Sequence, residues 1–65
     1  MKISINGVLT SVSAKNLETI LNELGYGEMR VATALNGIFV PVDRRAEFQI
    51  EDGDQLEIVT PRQGG

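Results

Sequence analysis

The sequence predicts an α+β fold in which one helix packs across a mixed sheet of four to five strands. Three features point there: two Asn-Gly turns flanked by strand-like segments, one apolar stripe at helical spacing between them, and an alternating segment near the C-terminus. One helix covers only one face of a sheet. The expected arrangement therefore has two layers and leaves the second sheet face open.

Met1 to Val12 reads as a hairpin. Ile3 and Ile5 alternate with Lys2 and Ser4, Asn6-Gly7 turns the chain, and Val8 to Val12 returns. Asn-Gly tolerates the positive φ angles that a type I′ turn requires. The period then changes: Leu17, Ile20, Leu21 and Leu24 fall at i, i+3, i+4 and i+7, one stripe of a helix. Asn16 is placed as its N-cap, Glu18 lies in the first turn where the helix dipole favours an acid, and Gly25 is the left-handed stop. A helix this short holds only when its stripe is buried.

Arg30 to Leu35, Asn36-Gly37 and Ile38-Phe39-Val40 repeat the hairpin logic. Pro41 has no N–H for a ladder, so the strand ends there or lies at an edge. Val42 to Glu47 reads as a polar connection, Phe48 to Ile50 as a brief strand, Asp52-Gly53-Asp54 as a turn and Leu56 to Thr60 as the last strand. Hairpin, helix, hairpin, connection, strand is the order of the β-grasp fold. Residues 1–60 are expected to form that domain, and Pro61 to Gly65, with nothing to pack, a flexible tail.

Composition narrows the chemistry. The chain has 65 residues, 42% of them hydrophobic, enough for one thin core and too many for disorder. It contains no cysteine and no histidine, which excludes thiolate or imidazole zinc sites, cysteine-held iron–sulfur clusters, and Ser-His-Asp or Cys-His catalysis. With little room for a deep pocket, it is not expected to be an enzyme. A net charge of −3 without a basic run argues against nucleic-acid binding. No stretch is apolar enough to span a membrane or serve as a signal peptide, so a cytoplasmic monomer is expected. Asp52, Asp54 and Glu57 read as turn and strand acids, not a cation site, and Tyr26 and Met29 as residues closing the helix end.

Two features suggest a use. Ile38, Phe39 and Val40 are apolar at both parities, so one helix cannot hide them all; Leu56 and Ile58 share the core parity, which turns Val59 to the open face beside Glu57. Val59, Phe39, Ile38 and Val40 are thus a candidate docking surface close to the C-terminus. The chain ends in Gly64-Gly65. Two residues without Cβ can thread a narrow channel and present an unhindered carboxylate. Another protein can activate that carboxylate as an acyl-adenylate with ATP and exchange the AMP for sulfur or another nucleophile. The chain would then be a carrier.

The residues Val31-Ala32-Thr33-Ala34-Leu35-Asn36-Gly37, then Val40-Pro41, then Asp52-Gly53-Asp54-Gln55-Leu56-Glu57-Ile58-Val59-Thr60, closed by Gly64-Gly65, closely resemble the ThiS family. These are ubiquitin-like sulfur carriers of thiamin thiazole biosynthesis, and the resemblance spans nearly the whole chain. It implies that a ThiF-type enzyme, binding Mg-ATP itself, adenylates Gly65. It also implies that a cysteine-desulfurase relay supplies sulfur for a thiocarboxylate, and that thiazole synthase consumes it. Gly65 would carry the sulfur, Gly64 give clearance, and Pro61, Arg62 and Gln63 act as tether. The chain itself would bind no cofactor. Many relatives carry Arg after the Val-Pro pair and an aromatic soon after, where this chain has Val42 and then Arg44-Arg45; no partner contact in 42–47 is carried over. Ile38 also stands where relatives are often polar. Three other readings share the body pattern: the small subunit of molybdopterin synthase, a protein-conjugating ubiquitin-like modifier, and the regulatory or RNA-associated TGS-type module. The acidic charge and the Gly-Gly end weigh against the last.

Overall fold

The computed structural model of the chain describes residues 1–61. Both hairpins form as their turns dictate. Strands β1 (Lys2–Ile5) and β2 (Val8–Ser11) pair antiparallel, as do β3 (Ala32–Leu35) and β4 (Ile38–Val40). Asn6 and Gly7 have φ of 50° and 84°, Asn36 and Gly37 of 52° and 85°, the left-handed pair that a type I′ turn needs.

Helix α1 (Leu17–Glu23) starts where Asn16 accepts the Thr19 N–H at 2.8 Å through its side-chain oxygen. Gly25 follows its end at φ 91°. Leu17, Ile20 and Leu21 are buried and Leu24 half-buried, so the stripe is the face turned to the sheet. The last strand, β5, spans Gln55–Val59 and leaves Thr60 outside.

Two expectations fail between β4 and β5. Val42–Glu47 is a 3₁₀ helix and not a polar loop. Pro41 fits the entry to a helical turn, where its missing N–H costs nothing, and its carbonyl accepts the Arg44 N–H at 3.0 Å. Phe48–Ile50 forms no strand. Gln49 makes an isolated bridge to Asn16, while the Leu17 N–H donates to the Phe48 carbonyl and the Ile50 N–H to the Lys15 carbonyl. The partner of this segment is the entry to α1, which turns helical at once and ends the ladder.

The sheet order is β2-β1-β5-β3-β4, with β5 parallel to β1 and antiparallel to β3. The last strand in sequence thus occupies the centre. Both turn asparagines fasten it. The Asn6 side chain accepts the Ile58 N–H at 2.8 Å and donates to the Ile58 carbonyl at 3.1 Å. Asn36 accepts the Gln55 N–H at 2.9 Å and donates to the Asp54 carboxylate at 3.1 Å. Between sheet and helix lies one core, in which Ile3, Leu17, Ile20, Val40 and Leu56 are at most 1% exposed.

Candidate functional site

Strand direction brings three segments to the end of the sheet from which residues 62–65 continue. β5 ends there, β3 begins there and β4, antiparallel to β3, also ends there. The approach to β3, the 3₁₀ helix after β4 and the Val59–Pro61 exit therefore surround one groove of about 730 Å³. Met29, Val31, Val42, Val59 and Pro61 make its walls largely apolar.

Arg45 lines the same groove. A 3₁₀ helix repeats every three residues, so Val42 and Arg45 lie above one another on the groove side. Arg45 is only 8% exposed. Its Nη2 donates to the Val31 carbonyl at 2.5 Å, and its Nε is buried without a hydrogen-bond partner. Among the described residues no carboxylate pairs with it; the ion pair on this helix is Arg44 with Glu47, 3.2 Å apart and well exposed.

The register decides which expected docking residues share a face. Ala32 lies opposite Val59, and Ala34 lies opposite both Glu57 and Phe39. Phe39, Glu57 and Val59 therefore stand on the open face with two alanines between them, leaving a trough of about 210 Å³. Phe39 and Val59 are each 64% exposed. Ile38 is also exposed, but its partner is the core-facing Leu35, so it lies on the other face at the turn end of an edge strand and does not enlarge the open face. Val40 must be withdrawn from the docking set. It pairs with buried Thr33, is itself 0% exposed, and belongs to the core.

Pro61 is exposed and lines the groove; Arg62, Gln63, Gly64 and Gly65 lie outside the described residues. Met29, expected to close the helix end, is half-exposed on the groove instead, whereas Tyr26 packs against the core as expected. Sequence reasoning missed Arg45 and Val42. Their three-residue spacing behind a Val-Pro pair was the available signal.

The acids near β5 are engaged in turn-building. Asp52 accepts the Lys2 N–H at 2.7 Å, and Asp54 accepts the Glu51 N–H as well as the Asn36 amide. Among the described residues no cluster of acids could hold a metal, and no helix is long and apolar enough to cross a membrane.

Comparison with known proteins places these features in context. The sequence model of the ThiS family matches residues 3–65. A thiazole synthase from Paramagnetospirillum magneticum is 41% identical over 66 residues, covering the whole of this chain but only 20% of that protein, so the chain spans about a fifth of its relative's length. The crystal structure of a thiamine biosynthesis protein, ThiS, from Geobacter metallireducens superposes with a TM-score of 0.83 at 25% identity, covering all of both chains. A solution NMR structure of a thiamine biosynthesis protein from the same organism gives 0.81 at 25% identity, covering all of this chain and 88% of the other. The architecture is the β-grasp, with five strands.

Proposed function

The chain belongs to the ThiS family, and from that membership we propose that it is a sulfur carrier for thiamin thiazole synthesis whose cargo is held on the carboxyl group of Gly65. The observation that carries this reading is that the family match runs through residue 65, so Gly64-Gly65 lies within it. A relative named thiazole synthase, 41% identical over this chain, supports the pathway and favours it over the molybdopterin and RNA-associated readings.

In the proposed sequence a carboxylate oxygen of Gly65 attacks the α-phosphorus of ATP on a ThiF-type enzyme, and pyrophosphate leaves. A persulfide supplied by a cysteine-desulfurase relay then adds through its terminal sulfur to the acyl carbon, and AMP leaves. A second thiol of the partner attacks the other sulfur of the acyl disulfide, breaking the S–S bond, forming a partner disulfide and releasing the thiocarboxylate. The resulting thiocarboxylate supplies thiazole synthase. ATP and Mg belong to the activating enzyme, and catalysis belongs to the partners.

The carrier's work divides between its parts. Residues 1–60 act as the recognition domain, with Phe39 and Val59 on the open face as docking contacts, and Pro61 to Gly65 act as the reaching arm. Thiolates are strong nucleophiles, so the absence of cysteine spares the activated acyl group from internal capture. All of this is chemistry of the cytoplasm, where we place the chain as a monomer.

Mass spectrometry tests the reading. Incubated with ATP, a ThiF-type enzyme and a sulfur source, the intact protein is expected to exchange one oxygen for sulfur at Gly65. Deleting Gly65, or adding one residue after it, should abolish the exchange. An extended chain thiolated as well as wild type would defeat the role assigned to Gly64-Gly65.

A further inference from the structure

Arg45 is the one charged side chain among the described residues that is buried, and it lies against a groove and not in the centre of the core. A desolvated guanidinium with no counter-charge among the described residues costs stability, and one hydrogen bond to a backbone carbonyl offsets only part of that cost. Its hydrogen bond to the Val31 carbonyl uses one of five N–H donors, and buried Nε has no partner. The carboxylates bordering this region, Glu28 on the groove and Glu18 on the far side of Arg45, make no ion pair with it. The other cation on the groove, Arg30, is exposed.

We infer that this groove docks a partner segment carrying a carboxylate, which neutralises Arg45 while a neighbouring apolar side chain packs on Met29, Val42 and Val59. Charge complementarity names the first element, since the groove is apolar apart from two cations and one exposed acid. Position names the partner. The groove runs up to Pro61, so a protein that takes hold of residues 62–65 passes over it. The identity of that partner, the ThiF-type activating enzyme, rests on the proposed function. The carboxylate requirement comes from Arg45 alone.

The experiment compares wild type, Arg45→Met and Arg45→Lys in thermal unfolding and in adenylation by the activating enzyme at low and high salt. Arg45→Met keeps the volume and removes the charge. It leaves the Val31 carbonyl without its donor, so a modest fall in Tm is expected, while the folded protein should show a KM raised about tenfold or more with kcat little changed. The salt dependence of KM should be strong in wild type and weak in Arg45→Met. Arg45→Lys, a cation without the planar fork, should fall between them. Should Arg45→Met fail to fold, Arg45→Gln carries the same comparison.

Wild type that is adenylated with a KM unmoved by Arg45→Met overturns the groove inference and leaves the carrier reading standing. Wild type that is never adenylated removes both. An Arg45 side-chain NMR signal in the free protein that shifts when residues 62–65 are deleted would make the chain's own end the occupant, and would also overturn the inference.

Discussion

Asn6 and Asn36 stand where the backbone must take a positive φ, but turn geometry is only half of their work. Each side chain also reaches β5 and completes hydrogen bonds that the strand register does not supply. Asn6 uses both ends of its amide on Ile58, so one residue closes the first hairpin and fixes the central strand. This separates two substitutions. Asn6→Gly preserves the turn and loses both hydrogen bonds. Asn6→Asp keeps the acceptor but points a carboxylate oxygen at the Ile58 carbonyl, where the amide had donated. Asn6→Asp should therefore be the worse of the two, costing about 1–3 kcal/mol in urea unfolding at neutral pH. An Asn6→Asp protein as stable as wild type would show that this clamp contributes nothing to holding β5.

At the scale of elements, α1 is held at both ends by side chains acting on backbone. Glu23 lies in its last turn, where the helix dipole disfavours an acid. Its carboxylate nevertheless sits below the usual range, first because the Ala14 N–H donates to it, then because the Ser13 N–H and hydroxyl do. These contacts fasten the β2–α1 connection to the helix end. A pKa depressed on folding contributes stability that is complete above the unfolded value, here the ordinary 4.5, and is lost as pH falls through the lower folded value. Glu23→Gln should thus lower Tm at neutral pH, and the difference should shrink as the solution is acidified below 4.5. A difference constant across that range would assign the effect to packing. The elements legible in the sequence share this local character: the Asn-Gly turns, the Asn16 cap and the Leu17-Ile20-Leu21 stripe are each specified within a few residues. The 3₁₀ helix and Arg45 were not legible, because an Arg among polar residues looks solvated until Val31 and Val42 are brought beside it. Val40 failed for a related reason. A three-residue apolar strand gives no parity signal, and only its register with Thr33 sends it inward.

At the scale of the fold, one α-helix packed on a five-stranded sheet among the described residues leaves that sheet with one covered face and one open face. Because β5 is central, its alternation separates stability from display within five residues. Leu56 and Ile58 face the core at 1% and 5% exposure, while Glu57 and Val59 face outward. Val59 also borders both the trough beside Phe39 and the groove that runs to Pro61, so it joins the open face to the root of residues 62–65. Truncating Leu56 to Ala should cost about 2–5 kcal/mol, much of the stability of so small a domain. Val59→Asp exposes nothing that was buried and meets no core neighbour, so its cost should stay within about 1 kcal/mol, set by the poor strand propensity of Asp. If the open face is where the activating enzyme docks, Val59→Asp and Phe39→Ala should each weaken binding about tenfold or more while chemical-shift dispersion and Tm remain near wild type. Calorimetric titration against the enzyme reads the first quantity, and thermal unfolding the second. Unchanged affinity in both variants would remove the open face from the recognition surface and, because Val59 also walls the groove, would confine any groove contact to Arg45, Met29 and Val42. Weakened affinity in Val59→Asp alone would place the docking contact at the groove end of the sheet and not at the trough.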